Sequence, residues 1–376
     1  MKNFYKTCAI TLMLLFFSSR NCVGAIVASG DLDGKIRIWD TETRHCNAEL
    51  EVGEAEHAVV SLAFSSNGKE LASLFRDGKI KIWKTESGVW DDAAPVFEQV
   101  AFNEEVSSGA FNYDLTKLAV GLSWDIKIID IKKGGSVEEL RAGSGEIHVS
   151  LSRDWKIMAS SSEDGPLIKI WNVEEGVCVK NLEEGFRVQE VILSLDGKRL
   201  ASVGDYGEVK IRDVKTGDCI VELAREGSFV GSPDFNQDGT KLVVPSGYSK
   251  KVEVWDVETG KLVKKLEGHK KEVFIAVFNS DGTRLASGDG DGVIKVWKTV
   301  DGTWGDAKLF ATLTGHARGI SAVAFSPVDD SETEIRKEAE QERIKFLLER
   351  MEGIPGKSII TTPGARKPVA VPRFLK

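Results

Sequence analysis

The hydrophobic pattern of this chain repeats seven times along its length. Short runs of alternating apolar and charged residues end on a tryptophan or its substitute, as in GKIRIWD, GKIKIWK and LIKIWN. Alternation of this kind predicts half-buried β-strands. The seven run ends, called anchors below, lie 44, 46, 42, 41, 43 and 42 residues apart and are Trp39, Trp83, Ile129, Trp171, Arg212, Trp255 and Trp297. So constant a period indicates an array of repeated units, each of which needs neighbours to bury its faces.

Each unit is predicted to contain four strands. In the clearest unit, residues 268–299, the β-type runs are separated by Asp-Gly and other turn-forming sequences, which predicts an antiparallel meander. Its innermost strand is Phe274–Phe278, the second is Leu285–Ser287, the third is Val293–Trp297, and a run around Leu309 is the fourth. Four strands in a period of about 40–45 residues are typical of a β-propeller blade.

The two ends of the array are each incomplete. The first unit begins at its second strand, AIVASGD, and a seventh inner strand, GISAVAFSP, follows the last anchor with no further strands behind it. We therefore predict an all-β fold over residues 26–326, a seven-bladed propeller of four-stranded antiparallel blades. The C-terminal strand Ile320–Phe325 would pair with the N-terminal blade and so remove two open sheet edges. A competing closure would use Ile10–Phe17 as the first inner strand and leave 320–325 unpaired.

Over residues 26–326 the repeats resemble the WD-repeat β-propeller family. In that family a His before the inner strand, a Ser on the second strand, an Asp in the following turn and the anchor Trp form a buried hydrogen-bonded tetrad. The resemblance implies two complete tetrads in this chain, namely His269, Ser287, Asp291 and Trp297, and His316, Ser29, Asp33 and Trp39. The second tetrad requires both ends of the array in one blade, which supports the predicted closure. These His, Asp and Ser residues are accordingly expected to be structural and not catalytic.

The segments outside the array have different compositions. Residues 1–25 carry Lys2 and Lys6, an apolar run from Cys8 to Phe17 and then small and polar residues, a layout typical of a secretory signal peptide. Export to a periplasmic or extracellular location is therefore expected, and the alternative is a cytoplasmic propeller with a mis-assigned start. The apolar run is too short to span a bilayer. Residues 331–352 are predicted to form a helix that begins with a capping box, and residues 353–376 a flexible basic tail.

Charge and cysteine usage narrow the classes of partner. The chain has a formal charge of −8, the first 25 residues carry +3 and the last 24 carry +5, so residues 26–352 carry −16. So acidic a body argues against nucleic acid as the main partner. Three cysteines, Cys46, Cys178 and Cys219, each follow an anchor by seven residues, and we interpret them as small buried hydrophobic residues.

The sequence contains no motif that predicts catalysis. Neither HExxH nor Cys-x-x-Cys occurs, so we predict no metal, no cofactor and no enzymatic activity. The predicted function is a non-catalytic, monomeric scaffold that binds a protein or peptide. The alternative is a secreted propeller enzyme or a carbohydrate- or ligand-binding module that uses the central channel.

The predicted binding surface is one rim of the propeller. This first rim consists of the turns between second and third strands and the loops that enter each inner strand, where function usually lies. Aromatic and Arg residues are the commonest interface hot spots, and those predicted on this rim are Phe75, Arg76, Trp124, Phe186, Arg187, Tyr206, Arg225, Tyr248 and Arg318. The opposite rim ranks second, with Trp90, Trp155 and Trp304 as candidates.

Overall fold

The computed structural model describes residues 26–50, 52, 57–86, 90–102, 104–133, 135–225 and 231–327 of the 376 residues. These residues form 28 strands: β1 Ile26–Asp31, β2 Ile36–Asp40, β3 Cys46–Leu50, β4 Val59–Phe64, β5 Glu70–Phe75, β6 Lys79–Lys84, β7 Ala94–Val100, β8 Ser108–Phe111, β9 Lys117–Gly121, β10 Asp125–Asp130, β11 Gly135–Arg141, β12 Ile147–Leu151, β13 Ile157–Ser162, β14 Leu167–Asn172, β15 Val177–Glu183, β16 Val188–Leu193, β17 Arg199–Gly204, β18 Val209–Asp213, β19 Cys219–Glu222, β20 Asp234–Phe235, β21 Lys241–Ser246, β22 Lys251–Asp256, β23 Leu262–Glu267, β24 Val273–Phe278, β25 Arg284–Asp289, β26 Val293–Lys298, β27 Lys308–Thr314 and β28 Ile320–Phe325. A short 3₁₀ helix covers Trp90–Asp92.

The strands assemble into seven four-stranded antiparallel sheets, the blades. Blades 2 to 7 each use four consecutive strands, from β4–β7 to β24–β27, whereas blade 1 has the order β28-β1-β2-β3. Neighbouring inner strands contact one another in sequence, and β24 of blade 7 contacts β28 of blade 1, which completes the ring. The predicted all-β, seven-bladed fold is confirmed.

Each blade carries a β-bulge immediately before its anchor residue. In blade 1 the register of β2 and β3 shifts between Ile38 and Trp39, and in blade 7 that of β26 and β27 shifts between Val296 and Trp297. The same shift occurs at the anchor of every other blade. A bulge re-aims the side chain that follows it, so the repeated anchor marks a repeated backbone irregularity as well as a packing position.

Blade 1 is closed by strands from both ends of the propeller. Val27 of β1 pairs with Phe325 of β28, and Ser29 pairs with Val323. Ile320 and Val323 are buried. The predicted closure is thus confirmed, and the competing arrangement is wrong in leaving 320–325 unpaired; its proposed strand, residues 10–17, lies outside the described residues.

The hydrophobic core is divided among the interfaces between blades. The cluster between blades 7 and 1, for example, combines Val27 and Trp39 with Ala286 and Ile294. Each of the other six clusters likewise joins the facing sides of two adjacent blades. A blade therefore buries both faces only when both neighbours are present, as the repeat period predicts.

The cysteine interpretation was wrong. Cys46, Cys178 and Cys219 are exposed, because they lie at the start of fourth strands, the edge strands of their blades. Leu262 and Leu309 occupy the same position in blades 6 and 7 and are also exposed. The predicted leader, the helix 331–352 and the basic tail fall outside the described residues. In the part of the chain that the structure describes, no helix is long and apolar enough to cross a membrane.

Candidate functional site: the first rim and the channel mouth

A buried hydrogen-bonded network fixes the geometry of blade 7. Ser287 Oγ accepts from Trp297 Nε1 at 2.9 Å and lies 2.7 Å from His269 Nε2, and His269 Nδ1 lies 2.8 Å from Asp289 Oδ2. The acid of this network is thus Asp289, and the prediction of Asp291 was wrong. Asp289 is the last residue of β25 and its side chain points toward the histidine, whereas Asp291 lies in the turn with its carboxylate half exposed.

The same network in blade 1 is assembled from both ends of the propeller. His316 contacts Ser29 Oγ and Asp31 Oδ2 at 2.7 Å each, and Trp39 Nε1 donates to Ser29 Oγ at 2.8 Å. The prediction that Asp33 is the acid of this network was wrong for the same reason. Asp31 is the last residue of β1, and Asp33 is exposed. The other carboxylate oxygen of Asp31 accepts the backbone N–H groups of Asp33 and Lys35, so one residue orients the histidine and also closes the turn.

Blade 5 replaces this network with an ion pair. Arg212 stands at the anchor position, and its guanidinium donates to both carboxylate oxygens of Glu184 at 2.7 and 3.0 Å. Ser202 Oγ donates to the same carboxylate at 3.0 Å. Glu184 precedes the end of its inner strand by nine residues, as His269 does in blade 7. The substitution of Arg for Trp is therefore matched by an acid in place of the histidine.

Three predicted aromatic residues lie exposed on the first rim. Trp124, Tyr206 and Tyr248 are 53%, 77% and 67% exposed and occupy the turns between second and third strands of blades 3, 5 and 6. Hydrogen bonds hold all three turns. The carbonyl oxygen of Trp124 accepts two N–H groups, Tyr206 N donates to Glu208 Oε2 at 2.9 Å, and Lys250 N donates to Gly247 O at 3.1 Å across the turn of Tyr248. Large apolar groups thus project from ordered turns.

The exposed arginines of this rim are paired with acids. Arg76 contacts Glu105 and Glu146 at 3.2 Å each. Arg187 lies 3.6 Å from Asp205 and also donates to the carbonyl oxygen of Glu163. Arg318 lies 3.4 Å from Asp33. Pairs this exposed contribute little to stability, so these side chains can exchange their partners at small cost.

Two residues predicted on the first rim are buried. Phe75 is 1% exposed because it ends β5 and its side chain packs between blades 1 and 2. The Arg225 side chain is 1% exposed and pairs with Glu253 at 2.9 Å. The surface predictions for these two were wrong. Phe186 is half-buried and packs against the cluster between blades 4 and 5.

Tryptophans of the opposite rim are packing residues. Trp90 and Trp304 are buried and contact Phe64 and Phe278 edge to face. Trp155 is half-buried, with a φ of 60° at a position where other blades have glycine. These three tryptophans were candidates for exposed binding residues of the opposite rim, but they expose little of their rings there.

The inner strands surround a channel with one polar, ionisable side. The cavity has a volume of about 460 Å³. Blades 2 and 3 line it with small groups such as Ser61 and Ser108 and, at the mouth, with Arg76, whereas blades 4, 5 and 6 contribute His148, Glu190 and Asp234. None of these three residues belongs to a motif that the sequence displays. The available signal was the alignment of inner strands, in which His148 and Glu190 stand at the position of Ser61 and Ser108, and Asp234 stands at a position that is alanine in blades 2 and 3.

Burial alters the acid–base properties of this side of the channel. It raises the pKa of Asp234 to about 7, even though Phe278 N donates to that carboxylate at 2.8 Å. Burial also raises the pKa of Glu190. It opposes protonation of His148, but the surrounding carboxylates, Glu163 foremost, raise the pKa of that imidazole. Asp234 thus changes its charge near neutral pH.

These observations define a class of protein. Seven four-stranded blades, a bulge at every anchor and histidine–serine–tryptophan networks within two blades are features of a β-propeller built from tandem repeats.

Comparison with known proteins identifies the repeat. Residues 15–40, 46–84 and 260–298 match the family described as WD domain, G-beta repeat; the first match begins inside the predicted leader. The transcriptional corepressor LEUNIG_HOMOLOG of Arabidopsis thaliana is 28% identical over 236 residues, which cover 60% of this chain and 28% of that protein. Periodic tryptophan protein 2 of the same plant is 28% identical over 189 residues, covering 47% and 20%. The chain spans about a quarter of the length of these relatives. It is a WD-repeat β-propeller.

Proposed function

We propose that this propeller is a non-catalytic scaffold that binds a protein or peptide on its first rim. The observation that carries the proposal is the exposure of Trp124, Tyr206 and Tyr248 at equivalent turns of three blades. Turns usually hold small polar residues. Exposed aromatic groups cost solvation free energy, and clusters of them mark interaction sites.

The rest of the rim suits a protein partner. Aromatic and Arg side chains dominate the energetics of protein interfaces, and Arg76, Arg187 and Arg318 lie on the same rim as the three aromatics. Because ordered turns hold the aromatics, little conformational entropy is lost when a partner binds. Similarity to WD-repeat propellers supports a scaffold function in general terms, and the corepressor named above is consistent with a protein partner.

A matched set of variants tests the surface. The triple variant Trp124→Ala, Tyr206→Ala, Tyr248→Ala removes the aromatic groups from the first rim. The control Tyr113→Ala removes an aromatic residue that is 49% exposed and lies between β8 and β9, on the opposite rim. The wild-type protein and the variants would each be expressed as bait in the organism that makes the protein. The proteins that each bait captures would be quantified by mass spectrometry. Thermal melting would verify that each bait is folded.

We expect the control to retain the captured proteins and the triple variant to lose them. Each hot-spot truncation costs at least about 2 kcal/mol, or about 30-fold in affinity. If the triple variant retains the same proteins, the first rim is not the binding surface. If a small molecule copurifies instead and is released by changes at Glu190 or Asp234, the channel is the site and the ligand-binding alternative gains support.

The location of the protein remains a separate proposal. We infer export from the layout of residues 1–25, and the intact mass of protein isolated from cell fractions tests it. A mass that begins at or near Ile26 in an envelope or extracellular fraction supports export. Full-length protein confined to the cytoplasm contradicts it and extends the range of partners to intracellular proteins.

A further inference from the structure

Three side chains with metal-binding atoms converge where blade 4 reaches the channel mouth. Glu146 immediately precedes β12, His148 lies on β12, and Glu163 immediately follows β13. One nitrogen or oxygen atom from each of them lies within 4.8 Å of the other two. The sequence does not display this cluster, because a hairpin, and not a contiguous motif, brings the three residues together.

The backbone of this hairpin fixes their relative positions. Ile147 pairs with Ser162, and one step further out Glu163 N donates to Glu146 O at 3.0 Å. Glu146 and Glu163 are therefore directly opposite each other. His148 is two residues along from Glu146, so its side chain lies on the same face of the strand.

Placing two carboxylates opposite each other is unfavourable, since like charges at a cross-strand pair destabilise a sheet. Two arginines approach them, but each already has another acid. Arg76, 3.2 Å from Glu146, is also 3.2 Å from Glu105, and Arg187 lies 3.6 Å from Asp205. After these pairings the two opposed carboxylates retain a formal charge of −2, which a divalent cation would neutralise.

The histidine adds an independent observation. Its Nε2 atom is buried and has no hydrogen-bond partner among the described residues, and Glu163 Oε1 lies 3.6 Å away. That distance is too long for a hydrogen bond. Two ligand atoms at about 2.1 Å from one tetrahedral zinc ion lie about 3.4 Å apart, so the observed separation is close to that of atoms sharing a metal.

We propose that Glu146, His148 and Glu163 form a three-ligand site for a divalent transition-metal ion of the zinc type. An imidazole nitrogen with two carboxylates suits Zn²⁺ or Co²⁺, whereas Mg²⁺ and Ca²⁺ prefer oxygen ligands alone. Three protein ligands leave a fourth position for water or another donor. This site does not depend on the proposed binding of a partner at the first rim.

The test uses the full-length protein after treatment with a chelator and dialysis. Zn²⁺ binding would be measured by calorimetry, and Co²⁺ binding by its visible absorption spectrum. The variants are His148→Ala and Glu163→Gln. The matched control is His57→Ala, which removes an exposed histidine from the loop before β4, outside the cluster. Thermal melting without metal would verify that each variant is folded.

Wild type and His57→Ala should bind one equivalent of Zn²⁺ and melt at a higher temperature with metal than without it. His148→Ala and Glu163→Gln should bind at least about tenfold more weakly, since even second-shell substitutions cost that much. Equal affinity of wild type and His148→Ala overturns the proposal, as does an absence of Zn²⁺ binding. A thiolate-to-cobalt absorption band would also overturn it, because the metal would then be on the exposed Cys46, Cys178 or Cys219.

Discussion

Replacing Ser29 with alanine removes one hydroxyl group from the network that joins the two ends of the propeller. Ser29 Oγ accepts from Trp39 Nε1 at 2.8 Å and lies 2.7 Å from His316 Nε2. The Asp31 carboxylate can only accept, so His316 donates to it through Nδ1–H, and a neutral ring then accepts the Ser29 hydroxyl at Nε2. Ser29→Ala therefore leaves the indole N–H and the imidazole Nε2 buried without partners.

The expected loss follows from those two unpaired atoms. Each costs about 1–3 kcal/mol when buried without a partner, so the free energy of unfolding should fall by about 2–6 kcal/mol. Ser287→Ala removes the equivalent hydroxyl of blade 7, where the distances are 2.9 and 2.7 Å, and should cost a similar amount. The two variants differ in one respect: Ser29 and His316 are 287 residues apart in the chain, whereas His269 and Ser287 are 18 apart.

Urea denaturation with linear extrapolation measures the decrease in the free energy of unfolding for both variants. The control is Ser66→Ala, since Ser66 is exposed. Hydrogen exchange then distinguishes them. Amides of β1 and β28 should exchange faster in Ser29→Ala than in Ser287→Ala, because only Ser29→Ala weakens the contact between the first and last strands of the propeller. A loss below about 0.5 kcal/mol, the range of ordinary surface substitutions, would refute the reasoning for either network.

Three further outcomes are expected. A chain ending at Gly315 should aggregate or melt at a lower temperature than one ending at Pro327, because only the former lacks β28 and exposes the edge of β1. Asp234→Asn should stabilise the protein increasingly as pH rises from about 4 to about 7. Burial raises the pKa of Asp234 in the folded protein from 3.8 to about 7, so the folded form retains a proton that the unfolded form releases. This difference lowers the free energy of unfolding of the wild type by at most about 4 kcal/mol, and the asparagine variant does not incur it. Arg212→Met should destabilise blade 5 by up to about 3–5 kcal/mol, because the buried Glu184 carboxylate then keeps only Lys210, 3.7 Å away, and the Ser202 hydroxyl. Glu184→Met in the same chain should restore most of the loss.

Each of these has a contradicting result. Equal melting temperatures of the two shortened chains in size-exclusion-verified monomers would show that β28 is dispensable. A pH-independent difference between Asp234→Asn and wild type in thermal melts would mean that Asp234 does not titrate as described. If the double methionine variant is no more stable than Arg212→Met in urea, the charge pair is not the source of the loss.

The architecture was predictable because it depends on quantities that a sequence displays directly. The anchor spacing fixed the number of blades, and the incomplete units at each end fixed the closure between β28 and β1. The two inner strands that were predicted, ending on Phe278 and Phe325, are also found.

The acids of the two networks were misplaced by two residues for a reason that the sequence does not display. Asp31 and Asp33 are both compatible with a turn, and the choice between them depends on which carboxylate reaches the histidine while accepting turn N–H groups. The rim residues show the same limit. Phe75 and Trp124 stand near equivalent turns, yet Phe75 ends a strand with its side chain inward and Trp124 lies in the turn itself.

Compensation between distant positions was overlooked although the sequence contained it. Arg212 stands at an anchor position where most blades have Trp, and Glu184, 28 residues earlier, supplies the matching charge. Aligning the histidine positions of the blades, and not only the anchors, would have found this pair. Convergence of Glu146, His148 and Glu163 required the hairpin register as well.

The strand order of blade 1 also determines a delay during synthesis, between the time at which β1 is made and the time at which its partner β28 is made. Asp31 of β1 pairs with Ile320, 289 residues later in the chain. At about 5–20 residues per second, the partner strand is made about 15–60 s after β1. For that interval the inner edge of β1 lacks its native neighbour and can accept any other strand. The duration of this vulnerable period is set by the time needed to synthesise blades 2 to 7, so slower translation of those blades would lengthen it.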